Sequence, residues 1–287
     1  MSESAAPAAA TSPTQPADGS ATASPIAALF AERSAAGQMA FMPFVTAGDP
    51  TLDQTFAALH AFDEAGCDLF EVGVPYSDPI ADGPAIQASY TRALNNGFRV
   101  DELMARLGDL PSAMAPRVGM VSYSIVFRRD PVAFCQLAKA SGLAGLIVPD
   151  LPAVEASELA AITQGEGLDL VQLVAPTTPP QRYRHIVETC RGFLYCVAVT
   201  GVTGERERVA DRLLEMLDDL RRETDLPLAV GFGISRPEHI DTLRGRADGA
   251  IVGSAVVNRM ADAHDADSLT SVVQYVREMA DACHRAA

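Results

Sequence analysis

The sequence contains no tryptophan, one lysine and five cysteines, none of which forms a CxxC pair. Each scarcity removes a class of chemistry. Five is an odd number for a disulfide framework. Cys67, Cys135, Cys190, Cys196 and Cys283 sit mostly beside apolar neighbours, as reduced thiols of a cytoplasmic protein do. Lys139 lies in a segment of helical period away from any strand end, so a lysine imine to a sugar or to pyridoxal phosphate has no residue to form it. No HExxH motif occurs, and His60, His185, His239, His264 and His284 fall in helical segments, at helix starts or near the C-terminus rather than in a ligand cluster. Positive charge is also short. With 22 Lys+Arg against 37 Asp+Glu the net charge is −15, which argues against nucleic acid or an anionic membrane as the main partner. No apolar run approaches the roughly 18–20 residues of a spanning helix.

What is present is an ordinary globular composition, 48% hydrophobic and 21% charged over 287 residues. Residues 1–24 hold no Leu, Ile, Val, Phe, Lys or Arg, and so lack the apolar surface to offset an ordering entropy. They read as a disordered tail that resembles neither a signal nor a transit peptide. Residues 25–287 read as one domain. Near-continuous apolar runs predict strands at Ala40–Val45, Leu69–Val74, Arg117–Val121, Gly145–Val148, Leu168–Val174, Phe193–Val197, Leu226–Val230 and Gly249–Val252. Stretches apolar at i, i+3 and i+4 lie between them, including Asp53–Ala65, Pro131–Ser141, Ala153–Gln164 and Val209–Glu223. Eight such units predict an α/β protein of the (β/α)8 TIM-barrel class, with a doubly wound sheet as the alternative.

In a barrel the active groups lie at the strand C-termini and in the loops that follow. Three consecutive exits are glycine-rich: Thr200-Gly201-Val202-Thr203-Gly204, Gly231-Phe232-Gly233-Ile234-Ser235 and Gly253-Ser254-Ala255. Backbone N–H groups that close on an anion, backed by a helix N-terminus, make a phosphate seat there. Arg236 stands where a GxGxxG motif needs its third glycine, so a dinucleotide fold is not supported. Acidic candidates surround the second strand. Glu71 shares with Leu69 and Gly73 the face expected to point inward, where desolvation raises a carboxyl pKa toward the range of a general acid/base. A structural carboxylate bonded to backbone amides is the alternative. Asp82 follows eleven residues later in a Pro- and Gly-punctuated loop, as either a turn residue or a ligand, whereas Asp78 before Pro79 reads as turn chemistry. If such a site cleaves a C–C bond, without imine or metal, the electron sink must belong to the substrate.

The run Phe70-Glu71-Val72-Gly73-Val74-Pro75-Tyr76-Ser77-Asp78-Pro79-Ile80-Ala81-Asp82-Gly83-Pro84 closely resembles the signature of the tryptophan synthase α subunit family. The similarity extends to Pro43-Phe44-Val45-Thr46-Ala47-Gly48-Asp49-Pro50 and to the three glycine-rich exits. The resemblance implies a barrel that cleaves indole-3-glycerol phosphate to indole and glyceraldehyde 3-phosphate, the indole ring being the sink. It implies Glu71 as general acid/base, Asp82 as acceptor of the indole N–H, Phe44 and Tyr195 beside the substrate, and Thr203 on a closing loop. Gly204, Phe232, Gly233, Gly253 and Ser254 are implied as the phosphate seat. No cofactor is implied on this chain; pyridoxal phosphate is expected on a partner β subunit that receives indole in an αββα complex. One segment departs: where the family has Tyr-x-Asn-Pro after strand three, this chain has Ser122-Tyr123-Ser124-Ile125, with Tyr123 the candidate replacement, shifted by one residue. A barrel acting on a neighbouring anthranilate-derived sugar phosphate, and a regulatory partner with little turnover, are the competing readings. Lys139 counts against the synthase version of the first, and Glu71 with Asp82 against the second.

Overall fold

The structure, a computed structural model, describes residues 24–79, 82–197, 206–231, 233–263 and 266–286. Eight strands, β1 (Ala40–Thr46), β2 (Phe70–Gly73), β3 (Arg117–Met120), β4 (Gly145–Ile147), β5 (Asp169–Val174), β6 (Leu194–Val197), β7 (Leu228–Gly231) and β8 (Gly249–Val252), are all parallel. They pair in chain order and close, β8 against β1, which is the (β/α)8 barrel and not the doubly wound sheet. The strand ends lie within two residues of those read from the sequence. Alternation explains why: Ala40, Met42 and Phe44 of β1 point into the barrel while Phe41 and Val45 pack outward under the helices, so both faces are apolar.

Helix α1 (Pro25–Ala35) precedes the barrel, and α2 (Leu52–Glu64), α3 (Pro84–Asn95) and α4 (Val100–Gly108) follow β1 and β2. Around the remaining strands run α5 (Tyr123–Arg128), α6 (Pro131–Ala140), α7 (Ser157–Gly165), α8 (Tyr183–Thr189), α9 (Arg206–Glu223), α10 (Pro237–Asp241), α11 (Ser254–Ala261) and α12 (Ala266–His284). The helix expected over Ala153–Gln164 is two pieces. Pro152 is extended, and the bonds Glu155 N to Pro152 O and Ala156 N to Ala153 O form a tight 3-10 turn at Ala153–Glu155 before α7 starts.

One end of the barrel is closed by α1, whose Ile26 and Phe30 join the interior cluster with Met42, Ala229 and Ile251. Phe30 lies 5.7 Å from the Phe193 ring. Ser24 caps α1 through Ala27 N and also donates to Asp169 at the start of β5. Asp68, buried before β2, pairs with Arg33 of α1 at 2.8 Å, bonds His284 Nε2 of α12 at 2.7 Å and accepts from Phe41 N at 2.7 Å. Replacing it (Asp68→Ala) leaves three polar groups without their acceptor. We expect a loss of about 3 kcal/mol of stability, read by urea melts, with kcat and KM of the folded protein unchanged because this end is remote from the open mouth. All five cysteines are free and buried, and burial pushes Cys135 up to about 11 and Cys190 up to about 12, so these thiols are packing groups. No helix among the described residues is long and apolar enough to cross a membrane.

Candidate active site

Leu69, just before β2, and Glu71 within it point into the barrel, with Glu71 in register with Phe44 of β1 and Val118 of β3. Gly73 occupies the next inward position, and its missing side chain matters. A Cβ there would lie 2.3 Å from the Phe44 ring and 2.8 Å from the Tyr90 hydroxyl, so only glycine lets those two groups converge above Glu71. Gly231 gives the Tyr195 ring its room in the same way. Gly73→Ala is expected to destabilise the fold by roughly 1–3 kcal/mol and to lower turnover by displacing Phe44. Wild-type turnover in a stably folded variant would refute that reading of the layer.

Glu71 is fully buried, and neither of its carboxylate oxygens has a hydrogen-bond partner. Burial, then the like charge of Asp82, push its pKa up to about 8. The Tyr195 hydroxyl of β6 faces it and offsets part of that rise, without the geometry of a made bond. Asp82 sits in the loop between β2 and α3, partly open to solvent, and its Oδ2 accepts from the Tyr76 hydroxyl at 3.4 Å. Gln87 of α3 ties that loop down by donating to the carbonyls of Asp82 (2.8 Å) and Pro79 (3.2 Å). Burial raises Asp82 to about 6; the Tyr76 bond lowers it and Asp150 raises it further. Near neutral pH, therefore, Glu71 holds its proton and Asp82 is ionised.

Both carboxylates line one cavity of about 510 Å³ at the open mouth, together with Phe44, Tyr195, Gly233, Gly253 and Ser254. Gly253 is the N-cap of α11, so the first N–H groups of that helix have no intrahelical acceptor and face a site suited to an anion. Of the expected site residues, Thr203, Gly204 and Phe232 lie outside the described residues. Three features were not anticipated. Ile86, Met120 and Leu173 add apolar walls to the cavity. Arg236 and Arg259 also line the cavity. Arg259 lies over the Tyr275 ring, and the Tyr275 hydroxyl donates to Ser235 O, bracing the β7 exit. Arg259 also donates to Ala255 O, and its place on the short helix that begins at the Gly253-Ser254 exit was the available signal for that arginine.

Tyr123 does not supply a hydroxyl to the site. Ser122 is the N-cap of α5, and Asp150 binds both Ser122 Oγ (2.7 Å) and Tyr123 N (2.8 Å), which starts the helix there. The Tyr123 ring is thereby directed toward Phe127, four residues on, at 6.1 Å and into the outer cluster. Asp78 behaves as turn chemistry, accepting from Ser77 Oγ at 2.7 Å outside the cavity. Lys139 Nζ donates to Gly167 O on the outside of the barrel. Among the described residues no group of three His, Cys, Asp or Glu is placed to hold a metal ion.

The geometry has counterparts in known proteins. The family described as tryptophan synthase alpha chain matches residues 30–284. A tryptophan synthase alpha chain from Rhodopirellula baltica is 47% identical over 267 residues, covering 91% of this chain and 96% of that one. Another, from Microcystis aeruginosa, is 44% identical over 86% of this chain and 94% of its own. Among solved structures, tryptophan synthase from M. tuberculosis in an aminoacrylate-bound form superposes with a TM-score of 0.82 at 32% identity, over 91% of this chain and 100% of that one. A chain of the tryptophan synthase complex from Pyrococcus furiosus gives 0.76 at 35% identity, over 85% and 97%. With the match running through nearly the whole barrel, the chain belongs to the tryptophan synthase alpha chain family.

Proposed function

We propose that Glu71 and Asp82 carry the reaction of this family's lyase, the retro-aldol cleavage of indole-3-glycerol phosphate to indole and glyceraldehyde 3-phosphate. The observation that supports it most is the pair of carboxylates sharing one cavity with ionisations on opposite sides of neutrality. Glu71, neutral in its buried seat, protonates indole C3. The ring nitrogen becomes cationic, and the ionised Asp82 accepts its N–H. Glu71, now a carboxylate, takes the proton of the glycerol hydroxyl next to the breaking bond. That C–C bond opens to an aldehyde, its electron pair returns to the ring, and Glu71 ends protonated as it began. Phe44 and Tyr195 bracket the ring. Gly233, Gly253 and Ser254 hold the phosphate, with Thr203, Gly204 and Phe232 expected from the neighbouring loops.

The reading includes a partner. Several of the structural neighbours are tryptophan synthase structures, and this chain is read as the α component of an αββα complex whose β subunit carries pyridoxal phosphate and receives the indole. It is read as a cytoplasmic enzyme with one catalytic domain over residues 25–287. The test is indole release from indole-3-glycerol phosphate, with and without a β subunit. The substrate is itself an indole, so the product is separated from it by extraction of the uncharged indole into toluene before it is quantified. Turnover that increases with β subunit is the expected result; folded protein that releases no indole under either condition would overturn the reading.

A further inference from the structure

Behind the cavity wall, beside Phe44, lies a buried polar group that the reaction above leaves unused. Tyr90 of α3 points into the barrel, is 1% exposed, and its hydroxyl has no hydrogen-bond partner. It is not a stray core residue. Its oxygen lies 2.8 Å from where a Gly73 Cβ would stand, one inward layer above Glu71 and beside the Phe44 ring. Its ring packs on Tyr76 at 5.6 Å, the residue that bonds Asp82. The phenol thus lies among Asp82, Tyr76 and Glu71, close enough that their charges add to burial in suppressing its ionisation. An unpaired buried donor costs roughly 1–3 kcal/mol, and here it stands near a carboxylate whose two oxygens are equally unpaired.

We infer that Tyr90 is a positioning residue for Glu71, its hydroxyl donating to the Glu71 carboxylate when that carboxylate is ionised. In the resting enzyme Glu71 is protonated and calls on no further donor. During turnover it gives its proton to the substrate and must remain a carboxylate until it takes the next one; a donor that is already buried and aimed at this layer stabilises that interval without reorganising solvent. The inference rests on the acid/base assignment of Glu71. Tyr195 of β6 faces the same carboxylate from the other side, and Asp82 from the β2 loop is the opposing charge; Asp150 at the β4 exit acts through Asp82. The β3 exit adds no hydroxyl through Tyr123, whose ring packs outward.

The test is Tyr90→Phe, which keeps the ring and removes only the hydroxyl. Three readouts are compared. Turnover number is expected to fall roughly ten- to hundredfold with KM little changed, the size of a hydrogen bond to a charged group. The Glu71 carboxyl, followed by carbon NMR of glutamate-labelled protein, is expected to titrate at higher pH in the variant. Thermal stability of the ligand-free protein near pH 7 is expected to rise or hold, since an unsatisfied donor has been removed, whereas a residue needed only for the fold would lower it. Turnover within twofold of wild type together with an unmoved Glu71 titration would overturn the inference. A shifted titration in a protein that releases no indole would instead leave the Tyr90–Glu71 contact standing and refute the lyase assignment.

Discussion

Glu71→Gln is expected to lower indole release by roughly 10²–10⁴-fold while making the protein more stable in alkaline solution. The first effect follows from removing the proton that attacks C3. The second follows from burial. The folded pKa is raised from 4.5 to about 8, so the folded state binds a proton that the unfolded state has given up. The stability tied to that proton is complete below pH 4.5, declines as the unfolded carboxyl ionises, and is gone once pH has risen through about 8. Above pH 8 the wild type must hold an unpaired buried carboxylate, and the amide need not. The variant is expected to melt several degrees higher at pH 8.5, with the gap closing toward pH 5. Equal melting temperatures at both pH values would mean that Glu71 is not held protonated, and lost activity would then need another cause. A catalytic group that destabilises the fold which carries it is the ordinary stability–activity conflict, located here in one side chain.

Asp82→Asn is expected to cost roughly 10²–10³-fold in kcat, because an amide keeps the shape of the indole N–H acceptor and loses its charge. Its pH profile carries more information than its rate. Wild-type kcat/KM should be bell-shaped, rising as Asp82 ionises near pH 6 and falling as Glu71 ionises near pH 8. In Asp82→Asn the acid limb should vanish. The alkaline limb should move to lower pH, because the like charge that helps to raise Glu71 is gone. An alkaline limb that stays in place would show that the two carboxylates do not sense each other across the cavity.

The architecture was legible because barrel strands are buried on both faces. β1 reads as an uninterrupted apolar run in which no period need be guessed, and Glu71 stood out as a lone carboxylate in such a run. The glycine-rich exits of β7 and β8, to which the proposed phosphate seat is assigned, stood out by composition, and Gly233, Gly253 and Ser254 do line the cavity. What the sequence hid was direction. Tyr123 looked like the hydroxyl at the β3 exit, yet the Ser122 cap and the Asp150 clamp start α5 so that the ring turns outward. Tyr90 carried no signal in the sequence; that its oxygen emerges over Gly73 depends on how α3 leans on β2. Pro152 broke a helical pattern that periodicity alone made continuous. Such outcomes are set by contacts between segments far apart in the chain, which local pattern does not report.

The seal at the bottom of the barrel has a practical corollary. Ser24 is fastened to the start of β5, and the last turn of α12 is fastened to Asp68 and to Gln38 ahead of β1, so Ser24 and His284 both lie on the side away from the cavity. A tether attached before Ser24 or after His284 would anchor the molecule to a sensor chip with its open face presented to the flow. Both ends are therefore equivalent handles for surface-based binding measurements, and neither should alter the capture of a phosphorylated ligand.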